Sequence, residues 1–138
     1  VASKSNRRIR DWGDIDTPET VVAVAKGTLH EPVMRERLKS ARLLVLDTPF
    51  AREQAVESGR ADVFMTDYPY SQRFLSGADW ARLLAPPSVF HVTPYAYAMK
   101  PGDDLWYARI ERFMSDIKRD GRLLEAARRH KLDAIVAQ

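Results

Sequence analysis

The sequence predicts an α/β fold with a mostly parallel sheet. Short apolar runs alternate with longer segments of helical periodicity, and this strand–helix unit repeats three times. The apolar runs are also uniform instead of alternating, which is typical of strands covered by helices on both faces. A chain of 138 residues is long enough to bury a core of its own, so one compact α/β domain is expected.

The first unit begins with a continuous apolar run at residues 21–25, which predicts a buried strand. A polar turn ends this strand. Apolar side chains then follow at helical spacing through residues 31–40, with Pro32 in the first turn, where proline is tolerated. Thr28 is predicted to lie near the N-cap of this helix.

Two further units repeat the pattern. Residues 42–46 predict a second strand, and the next helix begins near Pro49 and ends at Gly59. Residues 61–65 predict a third strand, followed by a polar turn and a helix that ends near residue 75. The three predicted strands are therefore joined by helical crossovers, as a parallel sheet requires.

The remainder of the chain predicts extended and then helical structure. Residues 83–85 form a brief apolar run, and residues 90–99 predict an extended segment that the turn at residues 100–102 stops. An apolar stripe at helical spacing runs through residues 105–117, and Gly121 separates it from a last helix.

Composition argues against several function classes. The chain has no cysteine, so disulfides, thiolate metal sites and cysteine nucleophiles are excluded. Its 22 Lys and Arg residues exceed its 19 Asp and Glu residues by only three charges, with both signs interleaved, so no nucleic-acid partner is expected. No apolar stretch approaches the span of about 20 residues that a transmembrane helix needs.

Catalytic and metal-binding patterns are not recognised either. The histidines lack the spacing of a metal site, the serines lie in no nucleophile elbow, and no glycine-rich phosphate loop occurs. We therefore expect no metal, no cofactor and no catalytic residue.

Two turns are candidate ligand sites, because ligands of parallel sheets collect where strands end and helices begin. After the first strand, the Thr28 hydroxyl and the amides of Thr28, Leu29 and His30 form a natural anion site for a carboxylate. The alternative is a plain helix cap, which is the more common role of such a threonine.

After the third strand, Asp67 is placed to receive an ammonium group or to cap its own helix. Together, the two turns offer a carboxylate receptor and an ammonium receptor at one sheet edge, which suits a zwitterionic amino acid. The tyrosines Tyr68, Tyr95 and Tyr97 can line a cleft beside them, although such side chains more often serve packing.

Four separated segments carry a family pattern. They read VVAVAKGT at residues 21–28, SGRADV at residues 58–63 followed by Thr66 and Asp67, YAYAMKPGD at residues 95–103, and IKRDGRL at residues 117–123. In this order and over nearly the whole chain, they resemble the bacterial periplasmic solute-binding proteins of family 3, the receptors of polar amino acid ABC transporters.

The resemblance implies a type II periplasmic-binding-protein fold with two lobes, of which this chain is the C-terminal portion. Residues 1–15 would be the hinge segment that crosses from the missing first lobe, and residues 16–90 the second lobe. Residues 91–104 would be the returning hinge strand and turn. Residues 105–138 would be C-terminal helices that pack on the first lobe.

The resemblance also implies a function without catalysis. A periplasmic receptor of this kind binds an amino acid or similar small polar solute between its lobes and delivers it to the membrane subunits of an ABC transporter. Thr28 and the nearby amides would meet the ligand carboxylate, Asp67 would meet its amino group, and Asp62 would be structural. A homodimer or a companion lobe is expected to cover the C-terminal helices.

Two alternatives use the same scaffold. One is an enzyme similar to cyclohexadienyl dehydratases, which act on prephenate or arogenate, with Asp67 and Glu31 as the candidate acids. The other is the sensor domain of a membrane signalling protein.

Overall fold

The computed structural model describes residues 1–88 and 90–136. The chain divides into two compact units, Val1–Phe90 and His91–Gln138. The first unit holds the sheet, and the second consists of an irregular segment followed by helices.

Within residues 1–88, the structure describes a five-stranded mixed sheet. In chain order, the elements are β1 (Ala2–Ser3), a 3₁₀ turn (Trp12–Asp14), β2 (Val21–Ala25), α1 (His30–Arg37), β3 (Arg42–Leu46), α2 (Ala51–Glu57), β4 (Val63–Phe64), α3 (Tyr68–Leu75) and β5 (Ala81–Arg82). The strand order is β3-β2-β4-β1-β5. Strand β2 pairs in parallel with β3 and β4, whereas β1 runs antiparallel to β4 and β5. The predicted α/β class is confirmed.

The sheet is buried on both faces, which explains why its central strands are uniformly apolar. Val22 and Val24 of β2 pack with α1 on one face, in a core that also contains Val33 and Met34. The other face packs against α2 and α3; its core includes Ala23, Ala55, Val56 and Phe64, and the partly buried Phe74 packs against it. Alternate residues of one strand therefore contribute to two different cores.

The amino-end edge of the sheet is held together by Asp62, which directly precedes β4. Its Oδ2 accepts the Val21 amide of β2 at 2.8 Å. Its Oδ1 accepts a hydrogen bond from the guanidinium of Arg8 at 2.7 Å and another from the side-chain amide of Asn6 at 3.1 Å. One carboxylate thus ties the N-terminal segment to two strands, as expected of a structural residue.

The second unit contains α4 (Asp104–Arg119), α5 (Arg122–Arg129) and a 3₁₀ turn (Asp133–Ile135). Gly121 separates the two helices in the left-handed region, with φ of 84°, as the sequence predicts. Several apolar side chains of α4 are exposed, among them Leu105 at 88%, Trp106, Tyr107 and Phe113. Over the residues that the structure covers, no helix has both the length and the apolar character needed to cross a bilayer.

Two predictions of secondary structure are corrected. Residues 90–99 form no strand; most of their side chains are exposed, and a strand needs a neighbouring strand to pair its backbone. Residues 1–15, the predicted crossing segment, contribute β1 and the buried Ile9 to the first unit. Helix α1 ends at Arg37 instead of residue 40, because Leu38 is extended.

The Asp62 contacts predict a large effect of its removal. We expect Asp62→Ala to lower the free energy of unfolding by about 2 kcal/mol, because a charged acceptor of three hydrogen bonds is lost. Urea unfolding of the whole protein measures this, with the exposed Asp79→Ala as a matched control that changes stability by less than about 0.5 kcal/mol. Equal unfolding midpoints for the two variants would contradict the structural role of Asp62.

Candidate functional site

The candidate site lies at the carboxyl-end edge of the sheet. Strands β2 and β4 are parallel neighbours, with Val22 opposite Val63 and Ala23 opposite Phe64. Their carboxyl ends therefore reach the same edge, and the turns that follow them carry Thr28 and Asp67. The topology brings these two predicted site residues to adjacent turns.

The turn after β2 is closed by hydrogen bonds to the carbonyl oxygen of Ala25. The Thr28 hydroxyl donates to this oxygen at 2.7 Å, and the Thr28 amide donates to it at 3.3 Å. Gly27 supplies the positive φ of 74° that the turn needs. A ligand carboxylate that accepts a hydrogen bond from the Thr28 hydroxyl would therefore replace the Ala25 carbonyl oxygen as its acceptor.

Leu29 is the N-cap residue of α1, so Thr28 lies next to the N-cap, as the sequence predicts. The expectation that the Thr28 amide is available to an anion was wrong, since this amide donates to Ala25 within the turn. Leu29 is exposed and His30 is partly buried in the first helical turn. Both remain at the edge where the sequence predicts them.

Glu31 brings a negative charge to the same turn. Its Oε2 accepts a hydrogen bond from the Gly27 amide at 3.2 Å, and its Oε1 accepts one from the guanidinium of Arg35 at 2.9 Å. The hydrogen bond from Arg35 and the Gly27 amide hold the pKa of Glu31 below its usual value. The side chain is therefore ionised at neutral pH, and Arg35 offsets its charge.

The turn after β4 presents Asp67 as the N-cap of α3. Its Oδ1 accepts the Tyr70 amide at 2.7 Å, and Pro69 lies in the first turn. The capping role is thus present in the structure. A carboxylate has about four acceptor positions on two oxygens, so capping leaves capacity for a ligand ammonium group. Asp67 is partly exposed, which makes that capacity accessible.

A buried ion pair behind this turn was missed by the sequence reasoning. Arg52 and Glu53 of α2 lie 2.8 Å apart, Nε to Oε1, and the Tyr70 hydroxyl donates to the same Oε1 at 2.8 Å. Burial, and then the Glu53 carboxylate, raise the pKa of Tyr70. The spacing of Glu53 and Val56 on one helix face was the available signal, because it sets a carboxylate on the apolar side of α2.

The three candidate tyrosines belong to two different units of the chain. Tyr68 is the first residue of α3 and is exposed at the edge that carries Asp67. Tyr95 and Tyr97 belong to the second unit, where both side chains are largely exposed. In the part of the chain that the structure describes, no group of His, Asp or Glu side chains is arranged to hold a metal ion.

Comparison with solved structures identifies the fold class. The putative binding component of an ABC transporter from Wolinella succinogenes, complexed with lysine, matches with a TM-score of 0.76 at 26% identity over 93% of this chain. An ancestral amino acid-binding protein, described as a precursor of cyclohexadienyl dehydratase, matches with a TM-score of 0.68 at 25% identity over 94%. An ancestral cyclohexadienyl dehydratase matches with a TM-score of 0.56 at 27% identity over 93%.

These matches confirm the predicted resemblance to amino acid-binding proteins of ABC transporters and the type II periplasmic-binding-protein fold. The chain spans about half of the solved structures that it matches, namely 55%, 53% and 54% of them in the order given. No family model matches the sequence, and no curated protein matches it significantly.

The double role assigned to Asp67 predicts a separation between two substitutions. Asp67→Ala removes the acceptor for the Tyr70 amide and should cost about 1 kcal/mol of stability. Asp67→Asn retains an acceptor oxygen and should cost only about a few tenths of a kcal/mol of stability. Thermal unfolding of the two variants measures the difference. Equal destabilisation by both would mean that the charge, not the cap, stabilises the turn.

Proposed function

We propose that this chain is the C-terminal portion, including the second lobe, of a periplasmic solute-binding protein that binds an amino acid or similar small polar solute for an ABC transporter. The observation that carries the proposal is the pairing of Thr28 and Asp67 on adjacent turns of one sheet edge. A hydroxyl and helix-start amides suit the ligand carboxylate, and an aspartate suits the ammonium group. The solved relatives that bind lysine or amino acids support this ligand class.

The first lobe, which forms the other side of the site, is proposed to come from further polypeptide, either in the same protein or in a partner chain. The match to about half of each relative supports this. The exposed apolar side chains of α4 also support this proposal, because another protein surface usually covers an exposed apolar patch. A companion lobe is the proposed cover, and residues 91–104 are the proposed hinge.

A dehydratase on the same scaffold is the second candidate, and one solved relative supports it. Loss of water from a substrate needs a protonated acid at working pH. Glu31 does not fit this role, because Arg35 and the Gly27 amide lower its pKa. Aromatic product formed from prephenate or arogenate would overturn the assignment as a binding protein.

Calorimetry on the protein that carries both lobes tests the proposal. Asp67→Asn should weaken amino acid binding by about 30-fold or more, because the ammonium group loses its charged partner. Thr28→Val, which keeps the shape of the side chain, should weaken binding by about 10-fold. The 138-residue chain alone should bind far more weakly, since half a cleft leaves both charges in water.

The exposed Asp79→Asn is the charge-matched control and should bind as the unmodified protein does. The proposed site would be contradicted if Asp67→Asn and Thr28→Val both retained full affinity. Full affinity in the isolated chain would contradict the need for a second lobe.

A further inference from the structure

Arg52 contacts the turn that carries Asp67, although it lies on the preceding helix, α2. Its Nη1 donates to the carbonyl oxygen of Met65 at 3.0 Å, and its Nη2 donates to the hydroxyl of Thr66 at 3.4 Å. These are the two residues directly before Asp67. One guanidinium therefore bonds to both of the residues that lead into the turn of the candidate site.

The guanidinium is itself fixed from other directions. Its Nε pairs with Glu53, which also accepts the Tyr70 hydroxyl. Its Cζ lies 4.9 Å from the centroid of the Tyr70 ring and 5.5 Å from that of Phe64. Because the Tyr70 amide donates to Asp67, Tyr70 connects the fixed guanidinium to the carboxylate of the site.

Burial makes this arrangement rigid and costly. The side chains of Arg52 and Glu53 are only 12% and 7% exposed. The second carboxylate oxygen of Glu53, Oε2, is buried and has no hydrogen-bond partner. Apolar residues of similar volume would avoid this cost, so stability alone does not account for the pair. A planar, multiply bonded arginine does account for a precisely held turn.

We propose that Arg52, fixed by Glu53 and Tyr70, is a positioning residue that orients the Asp67 carboxylate toward the ammonium group of the ligand. The inference rests on the proposed amino acid site. Arg52 acts through the turn and does not contact the ligand. Its contribution to affinity is preorganisation, since a turn that is already ordered loses less conformational freedom on binding.

Hydrogen exchange on the whole protein, without ligand, tests the positioning directly. Arg52→Lys keeps the charge but cannot reproduce the planar fork of donors. We expect the Tyr70 amide, which reports the Asp67 contact, to exchange about 10-fold faster or more. The Asp62 amide, which bonds to Val21 at 2.9 Å at the other end of β4, should exchange as before. Tyr70→Phe should give a smaller change of the same kind, because the ring remains and only the bond to Glu53 is lost.

The matched control is Arg73→Lys. Arg73 also lies over the Tyr70 ring, with Cζ at 5.5 Å, but it is exposed and is not one of the residues that bond to the turn. This variant should leave the Tyr70 amide unchanged. Unchanged exchange in Arg52→Lys, or equal acceleration at Asp62 and Tyr70, would overturn the positioning role.

Ligand affinity separates this inference from the proposed function. Arg52→Lys should weaken amino acid binding by about 10-fold, whereas Arg73→Lys should have no effect. If the unmodified protein bound no amino acid, the proposed function would fail, and the exchange data would still decide whether Arg52 orders the turn. If binding were normal in Arg52→Lys, the positioning role would be overturned while the proposed function stood.

Discussion

The parallel pairing of β2 with β4 is the constraint on which the rest of the structure depends. Backbone bonds on both sides of the pairing fix its register: the Asp62 amide donates to Val21 at 2.9 Å, and the Met65 amide donates to Ala23 at 3.0 Å. A shift by one residue would move Phe64 from one core to the other, so the burial of both faces enforces this register. Because the register is fixed, the turns that follow the two strands are neighbours.

The two edges of the sheet serve different purposes. At the amino end, Asp62 accepts three hydrogen bonds from within the protein and joins separate parts of the chain. At the carboxyl end, polar groups are held by the fold but stay accessible, as Asp67 does while it caps α3. At the same edge, Arg52, which is paired with the buried Glu53, stabilises the Asp67 turn by hydrogen bonds to Met65 and Thr66. A rigid support beneath an accessible carboxylate is the arrangement expected of a binding site.

Sequence reasoning predicted the parts of the fold that have strong local signals. The uniform apolar runs predicted β2 and β3, and the Asp67 turn predicted the start of α3. Strands β1 and β5 were not predicted, because two residues carry no periodicity and their antiparallel pairing is a long-range property. Residues 90–99 have strand-like composition, but composition does not supply a pairing partner.

The site followed the same rule. The placement of Thr28 and Asp67 on adjacent turns was predictable because topology alone brings strand ends together, whereas the Arg52–Glu53 pair depends on how α2 packs. The most direct test is a crystal structure of the proposed two-lobed protein with a bound amino acid. We expect the α-ammonium nitrogen to lie about 3 Å from a carboxylate oxygen of Asp67, with the ligand carboxylate at Thr28. A ligand bound away from this edge, or one whose ammonium group pairs with another acid, would contradict it.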